Sequence, residues 1–357
     1  MPRRILVTGG AGFVGSSLCL ALKNHDPSAA VLAFDNLHRR GSELNLPRLR
    51  AAGVEFLHGD VRSPGDLAAA GLPDLILECS AEPSAQAGYG GSPDYLIDTN
   101  LVGCYQCLEL ARRAKADFLF LSTSRVYPYR PLNQLQFFED ETRFRLSDRQ
   151  SIRGASAAGV AEDFPLEGSR SLYGMTKLAA ELMVEEYADA YGLRCIVNRC
   201  GLLSGPGQMG KSDQGVIVLW MAHHYFGRPL RYIGFGGSGK QVRDFMHIAD
   251  LCDLVLEQIG NVEKYQGQVF NVGGGVAGSL SLVECTALCR RITGNSIPIA
   301  SESEERPADV RIYLSDTAKL QRTSGWTPKR MEETLFRDIF NWIQAEEAAL
   351  KFLLVGA

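Results

Sequence analysis

The stretch that decides the fold is Ile5-Leu6-Val7-Thr8-Gly9-Gly10-Ala11-Gly12-Phe13-Val14-Gly15. It joins a short apolar run to a glycine-rich turn, and an amphipathic helical pattern begins directly after it. At this spacing of glycines, a side chain would block the tight turn, the approach of a pyrophosphate or close helix–strand packing. The helix N-terminus then offers free N–H groups to phosphates. The stretch therefore predicts a dinucleotide site formed by Gly9, Gly12, Phe13, Val14 and Gly15.

An acidic residue indicates which dinucleotide binds. Asp35 lies twenty residues after Gly15, at the end of the second apolar run. A carboxylate there accepts hydrogen bonds from the adenosine ribose and repels a 2′-phosphate, which favours NAD over NADP. The basic residues at 38–40 could receive a 2′-phosphate, so that alternative stays open. We predict NAD as the cofactor, with Asp35 and Asn36 at the ribose.

Apolar runs and helical patterns alternate along the first half of the chain. The runs lie at 5–7, 30–34, 54–57, 75–78, 118–122 and 195–198, and the helical patterns at about 13–23, 95–114 and 173–191. Apolar strands alternating with helices are typical of a parallel sheet covered on both faces. The pattern predicts an α/β fold with a doubly wound parallel (Rossmann) sheet.

The second half of the chain is less regular and predicts a smaller C-terminal α/β domain for the substrate. We expect residues 1–199 and about 241–272 to form the dinucleotide-binding domain. About 200–240 and 273–357 would form the substrate-binding domain. The weakly periodic segment 128–170 is long enough for a functional loop, and the sequence does not define its role.

Composition limits the classes of partner. The 357 residues are 45% hydrophobic and 22% charged, with a net charge of −4. This balance is ordinary for a globular protein and argues against nucleic acid as the main partner. No apolar run approaches the ~20 residues of a membrane helix. The nine cysteines are an odd number, and the close pairs lie in helical apolar patterns, so we expect a reduced, cytoplasmic protein without a metal.

A tyrosine and a lysine four residues apart predict acid–base chemistry. Tyr173 and Lys177 lie one helical turn apart on the same face. A phenol with a pKa near ~10 is a poor base at neutral pH, but a neighbouring ammonium stabilises the phenolate. Thr123 follows an apolar strand, at the strand end where ligands bind in this architecture.

Together these motifs resemble the extended short-chain dehydrogenase/reductase family of nucleotide-sugar enzymes over nearly the whole chain. The resemblance implies a catalytic set of Thr123, Tyr173 and Lys177, with Tyr173 as the acid/base and Lys177 on the nicotinamide ribose. It also implies three more cofactor contacts: Asp60, Val61 and Asn100. In this family the helices at about 95–114 and 173–191 pair between subunits, which implies a homodimer or homotetramer.

The resemblance also implies a nucleoside-diphosphate sugar as the small-molecule partner. Arg243 lies in a segment similar to the family motif Arg-Asp-aromatic-x-His, and Arg306 in one similar to the segment that binds the diphosphate. Two guanidinium groups suit phosphate oxygens. The segments 139–143, 213–215 and 236–244 are similar to those of family members that invert C2 of a CDP-linked hexose. Glu82 and its neighbours at 79–83 depart from the family pattern near the sugar, as do Pro128 and 201–203.

The residues after Thr123 favour epimerisation. Dehydratases of the family carry an Asp-Glu pair there to eliminate water, whereas this chain has Ser124 and Arg125. An epimerase needs only one bound NAD, reduced and reoxidised in place. We therefore expect an epimerase, and the resemblance implies that it is a CDP-hexose 2-epimerase. A UDP-sugar 4-epimerase, an NAD-dependent nucleotide-sugar dehydrogenase or reductase, and a catalytically silent NAD-binding regulator remain alternatives.

Overall fold

The computed structural model describes residues 3–210 and 215–355. Within them the chain forms two compact units. The first contains the N-terminal stretch up to Val126, Leu172–Arg199 and Leu251–Phe270. The second contains Tyr127–Ser171, Cys200–Asp250 and the chain from Asn271 onwards. Asp213 and Gln214, which carry part of the resemblance to CDP-hexose epimerases, lie outside the described residues.

The strands are short and most are buried. In chain order they are β1 (Arg4–Thr8), β2 (Ala30–Asp35), β3 (Glu55–His58), β4 (Leu75–Glu78), β5 (Asp117–Thr123), β6 (Phe137–Glu139), β7 (Phe144–Leu146), β8 (Ala155–Ser156), β9 (Gly159–Val160), β10 (Cys195–Cys200), β11 (Leu202–Ser204), β12 (Leu230–Ile233), β13 (Val242–His247), β14 (Gln268–Val272), β15 (Ser279–Ser281), β16 (Ile299–Glu302) and β17 (Ile312–Tyr313).

The helices vary from one turn to five turns. They are α1 (Phe13–His25), α2 (Leu46–Ala51), α3 (Pro64–Ala69), α4 (Asp94–Ile97), α5 (Gly103–Ala114), α6 (Tyr129–Asn133), α7 (Leu172–Tyr191), α8 (Val216–Tyr225), α9 (Ile248–Gly260), α10 (Val262–Tyr265), α11 (Leu282–Thr293), α12 (Ala318–Ser324), α13 (Glu332–Ala345) and α14 (Glu347–Val355). A π-helical turn, Asp98–Val102, joins α4 to α5.

A seven-stranded sheet with the order β14-β10-β5-β4-β1-β2-β3 confirms the predicted doubly wound architecture. The strand pairs β3–β2, β2–β1, β1–β4 and β4–β5 are parallel. All seven residues of β5 are buried, as expected for a central strand covered on both faces. Apolar side chains of the sheet pack on α5 and α7 in the core of the first unit, among them Leu6, Phe118, Leu108 and Val184.

The predicted helix at 95–114 is present but interrupted. Its middle is the π-helical turn, which carries Asn100. A π turn inserts one residue into a helix and is frequent at functional sites. The interruption therefore makes Asn100 a candidate functional residue. The contacts of its side chain are described below.

The second unit has its own small sheet. Within it, β13 pairs in parallel with β11 and β17 and antiparallel with β15. Its core gathers apolar residues of α8, α11 and α13, including Met221, Cys285, Phe336 and Ile339. A separate parallel pair, β12 and β16, completes the main strands of this unit.

The compact units differ from the predicted division in two segments. Residues 241–250 were expected to return to the first domain, but they lie in the second unit because β13 pairs with the strands of its sheet. The segment 128–170 also lies there. The two units are consequently similar in length, whereas a smaller second domain was expected.

The segment 128–170 contains regular secondary structure. It holds α6 and two small hairpins, β6–β7 and β8–β9. Arg143 ties the first hairpin to β15 and α11 of the same unit, because its Nη1 donates to Ser279 Oγ at 3.0 Å and its Nε to Glu284 Oε1 at 2.7 Å. Strands of two or three residues carry too little periodicity to be recognised in a sequence.

The described residues contain neither a membrane-spanning helix nor a cluster of metal ligands. No helix between residues 3 and 355, outside the 211–214 gap, is long and apolar enough to cross a membrane. No group of three or more His, Cys, Asp or Glu side chains in that part of the chain is arranged to hold a metal ion.

Candidate active site

The turn between β1 and α1 has the geometry of a phosphate cradle. Gly9 adopts a φ of 62°, and the amide of Gly12 donates to its carbonyl at 3.0 Å. A Cβ on Gly15 would lie 2.1 Å from the Gly9 carbonyl oxygen, so only glycine fits there. Helix α1 begins at Phe13 without a side-chain cap. The first amides of this thirteen-residue helix, those of Phe13 and Val14 included, are thus left to bind an anion.

Asp35 is the last residue of β2, and its carboxylate also forms a hydrogen bond with this turn. Its Oδ2 accepts from the amide of Ala11 at 3.0 Å and its Oδ1 from the amide of Leu37 at 2.8 Å. Burial raises the pKa of Asp35, and the backbone hydrogen bonds oppose that rise. The carboxylate therefore positions the glycine turn, a role that the sequence analysis did not anticipate.

A polar cluster follows β2 and β3. Asn36 donates to Asp60 Oδ2 at 2.9 Å, and Arg62 forms an ion pair with the same oxygen at 2.7 Å. The hydrogen bond from Arg62 is the main cause of the low pKa of Asp60. The Arg62 guanidinium also lies over the Tyr95 ring, 4.9 Å from its centroid, and His38 stacks on that ring at 4.1 Å.

Val61 and Asn100 were both predicted to contact the cofactor, but their side chains contact other residues of the protein. Val61 is part of the apolar core, which leaves only its backbone for a ligand. Asn100 is buried, and its Nδ2 donates to the Glu82 carbonyl at 3.1 Å and to Thr176 Oγ1 at 3.2 Å. Its Oδ1 accepts from the Glu82 amide at 2.8 Å. Asn100 thus joins the segment after β4 to helix α7.

The predicted catalytic residues come from β5 and α7. Thr123 is the last residue of β5, and its Oγ1 accepts from the amide of Arg125 at 3.2 Å. Tyr173, half-buried, lies in the first turn of α7. One turn later Lys177, 2% exposed, donates from Nζ to the Leu121 carbonyl at 3.0 Å. Lys177 is therefore anchored on the strand that ends at Thr123.

The ammonium of Lys177 is charged despite its burial. Burial is the largest single effect and lowers the pKa of Lys177, but the attraction of Glu78 and smaller contributions from Tyr173, Cys104 and Cys79 together outweigh it and leave the pKa raised. The carboxylate of Glu78 is 3.7 Å away. A charged lysine on this face of α7 can stabilise a phenolate at Tyr173.

The sequence analysis did not identify Glu78. It is the last residue of β4 and is 1% exposed. It was assigned to an apolar run, Leu75–Glu78, as the end of a strand. The available signal was its charge, since carboxylates are almost never fully buried unless they are paired.

A second buried ion pair supports the same strand end. Glu181, one turn after Lys177 on α7, receives the Arg199 guanidinium, with Nη2 to Oε2 at 2.7 Å and Nε to Oε2 at 3.0 Å. Ser122 donates its hydroxyl to Glu181 Oε1. The pair links β5, α7 and β10 beside Thr123. No local sequence pattern indicates this pair, because Glu181 and Arg199 lie on different elements.

The two predicted substrate arginines lie in the second unit. Arg243, on β13, donates from Nη2 to Asp309 Oδ1 at 2.8 Å and from Nη1 to its own neighbour's carbonyl, that of Val242, at 2.8 Å. Arg306 is half-buried in the connection between β16 and β17. Arg243 thus uses two of its guanidinium nitrogens in hydrogen bonds to the protein.

Comparisons with known proteins cover most of the chain. The model of the NAD dependent epimerase/dehydratase family matches residues 5–273. The chain is 29% identical to CDP-paratose 2-epimerase of Salmonella typhi, in an alignment covering 95% of this chain and 98% of that protein. It is 26% identical to dTDP-glucose 4,6-dehydratase of Mycolicibacterium smegmatis over 97% of this chain and 94% of the relative.

Among solved structures, one similar fold is that of UDP-glucuronic acid 4-epimerase from Bacillus cereus, determined with UDP-glucuronic acid and NAD. It superposes with a TM-score of 0.78 at 22% identity, covering 96% of this chain and 99% of that one. At this identity the likeness establishes the shared fold.

Proposed function

This chain belongs to the NAD dependent epimerase/dehydratase family, and on that basis we propose that it is a nucleotide-sugar epimerase that inverts C2 of a CDP-linked hexose. The family's dependence on NAD confirms the predicted cofactor. The observation that carries the proposal is the arrangement of Lys177, which is buried, charged and anchored beside Thr123, one helical turn from Tyr173. The similarity to CDP-paratose 2-epimerase, over nearly the full length of both proteins, supports the CDP-sugar and C2.

The residues of the first unit fit NAD. The cradle at Gly9 and Gly15 would be filled by a Cβ, and the uncapped start of α1 suits a diphosphate. Asp35 and Asn36 would meet the adenosine ribose, and Asp60 and the Val61 backbone the adenine. When bound, NAD would supply the redox chemistry, which is the removal of a hydride from one sugar carbon and its return to the opposite face.

The side chains of the protein transfer the proton of the sugar hydroxyl and bind its oxygen. Tyr173 accepts the proton of the sugar hydroxyl as the carbon is oxidised and returns it after inversion. Lys177 holds positive charge one turn away and so favours the phenolate over the phenol. Thr123 hydrogen-bonds the same sugar oxygen. Arg243 and Arg306 would bind the diphosphate of the substrate.

Elimination of water lacks its catalysts in this chain. The family's dehydratases place an acid and a base directly after the catalytic threonine, and this chain has Ser124 and Arg125 there. Neither side chain carries the carboxyl group that serves as acid or base in the dehydratases. This favours epimerisation over dehydration, although relatives of similar identity include dTDP-glucose 4,6-dehydratases.

The decisive experiment is a panel of CDP-, UDP-, GDP- and dTDP-hexoses incubated with the NAD-loaded enzyme and followed by NMR. We expect a CDP-hexose to equilibrate with its C2 epimer while the absorbance of reduced cofactor stays flat. Inversion at C4 of a UDP-sugar would identify a 4-epimerase instead. Stoichiometric accumulation of reduced cofactor would identify a dehydrogenase, and no conversion of any sugar would favour a silent binding protein.

Cofactor preference provides a separate prediction. Asp35→Asn should raise the affinity for NADP relative to NAD by roughly tenfold or more, because like charges placed together at a binding site cost several kcal/mol. Dissociation constants of both reduced cofactors, measured by fluorescence, test it. Asp60→Asn serves as the control, since the adenine is common to both cofactors and their ratio should not move. An unchanged ratio in Asp35→Asn would contradict the assigned role.

We also propose that the enzyme is a cytoplasmic homodimer or homotetramer. Four large apolar side chains are exposed on or next to α5 and α7: Val102, Tyr105, Leu182 and Tyr191. Such exposure on two adjacent helices supports their pairing with a second subunit. The cysteines, none of which forms a disulfide among the described residues, suit a reducing compartment.

A further inference from the structure

Glu78 is a buried carboxylate that the proposed chemistry has not yet used. It ends β4, the strand next to β5, and is 1% exposed. Its Oε1 accepts the hydroxyl of Ser80, and its Oε2 lies 3.7 Å from the ammonium of Lys177. No described residue donates a hydrogen bond to that Oε2. A buried carboxylate charge requires a nearby counter-ion, because burying an unpaired carboxylate costs free energy.

The surroundings make Lys177 the counter-ion of Glu78. The ammonium has three donors, and one of them is fixed on the Leu121 carbonyl at 3.0 Å. The ammonium also lies 4.5 Å from the centroid of the Phe120 ring. The other titratable groups that face this pair are Tyr173 on α7, Cys79 next to Glu78, and Cys104 and Cys107 on α5. Burial raises the pKa of both α5 thiols, which leaves them neutral.

We propose that Glu78 is a positioning residue, which holds the Lys177 ammonium at the end of β5 and sets the pH range in which Tyr173 transfers its proton. The inference rests on the proposed roles of Tyr173 and Lys177. The carboxylate acts in two ways. It keeps Lys177 protonated in a buried place, and its own negative charge opposes the phenolate of Tyr173. The Glu78–Lys177 pair thereby makes the electrostatic potential at Tyr173 less positive than a lone ammonium would, so that the phenol can both accept and return a proton.

The sign of the effect follows from the charges. Glu78→Gln keeps the size of the side chain and an acceptor for Ser80 but removes the negative charge. Without it, the pKa of Lys177 falls, because burial is then less opposed. The pKa of Tyr173 falls too, because the phenolate loses a repelling neighbour. Both limbs of the pH profile should therefore move to lower pH.

The experiment uses the NAD-loaded enzyme and two readouts. The first is the phenolate absorbance of Tyr173, taken as wild type minus Tyr173→Phe and repeated in the Glu78→Gln background, which needs no sugar. The second is the pH dependence of epimerisation. We expect Glu78→Gln to lower the phenolate pKa and both kinetic limbs, with the alkaline limb moving by about 1–3 pH units, the usual effect of an opposite charge within 4–6 Å.

Two variants separate positioning from mere support of the fold. Glu78→Asp keeps the charge and should keep both limbs close to their wild-type positions, whatever its rate. Asp117→Asn removes a buried carboxylate at the opposite end of β5, where it pairs with Arg3 and Arg194. It should lower the melting temperature without moving either limb. A Glu78→Gln enzyme that is less stable but has unmoved limbs would overturn the proposal.

Two further results remain decisive. If the phenolate titration shifts but no sugar is converted, the proposed function fails and the role of Glu78 stands. If Glu78→Gln does not fold, the wild-type lysine can be followed by NMR, through the side-chain signal that Lys177→Arg removes. A Lys177 titration above the ordinary value of about 10.4 supports the ion pair, and one below it overturns the proposal.

Discussion

The Tyr173→Phe enzyme is expected to lose epimerase activity by about 10²–10⁴-fold, the contribution typical of a positioned acid–base group. The substitution removes only the hydroxyl from a half-buried ring in the first turn of α7. NAD affinity and melting temperature should stay close to wild type, because the glycine turn and Asp35 are untouched. Turnover by NMR, cofactor binding by fluorescence and thermal unfolding test the three parts.

The matched control for this loss lies on the same helix. Tyr191 ends α7 with more than half of its side chain exposed, and Tyr191→Phe deletes the same atom far along the helix from Tyr173. It should retain full activity. A Tyr173→Phe enzyme with wild-type turnover would refute the acid–base role, and one that fails to bind NAD would show that the loss came from the cofactor site.

Gly15→Ala should damage the fold and cofactor binding together. The new methyl would lie 2.1 Å from the Gly9 carbonyl oxygen and 2.8 Å from the Gly10 Cα. Both are backbone atoms, so the clash cannot be relieved by rotating a side chain. Overpacking of this kind costs about 1–3 kcal/mol or more. The turn that the methyl would displace is the one proposed to hold the NAD diphosphate. We therefore expect a lower melting temperature and a large loss of NAD affinity.

Gly12→Ala provides the comparison. A Cβ there would come no closer than 3.1 Å to the Gly9 carbonyl, and the φ of −68° suits alanine. The fold should keep its melting temperature, while the methyl obstructs the approach of the pyrophosphate and weakens NAD binding. If both variants melted together with wild type, the steric role assigned to Gly15 would be wrong.

Local patterns account for what the sequence could predict. The glycine spacing at residues 9–15, the acid at Asp35 and the helical spacing of Tyr173 and Lys177 each lie within one turn or one strand–helix unit. Such features depend on backbone sterics and helix periodicity, which neighbouring residues determine. The parallel sheet followed from the alternation of apolar strands and helices for the same reason.

Long-range pairing explains what the sequence could not predict. Glu78 and Lys177 are far apart in the chain, and only the order of strands in the sheet brings them within 3.7 Å. The partnership of Glu181 with Arg199 likewise depends on β10 lying beside β5. Strand β13 was placed in the wrong unit because a strand's pattern does not specify which sheet it joins. The hydrogen bond from Arg243 to Asp309 could not be predicted either, because the two residues lie 66 positions apart in the chain.

The double duty of Asp35 constrains how this enzyme could change over evolutionary time or in the laboratory. One carboxylate both serves the proposed ribose site and accepts hydrogen bonds from the amides of Ala11 and Leu37. A lineage that exchanged it for a smaller neutral residue to gain NADP would also loosen the glycine turn. Redesign of the coenzyme therefore calls for a paired change, in which a second residue takes over the two amides.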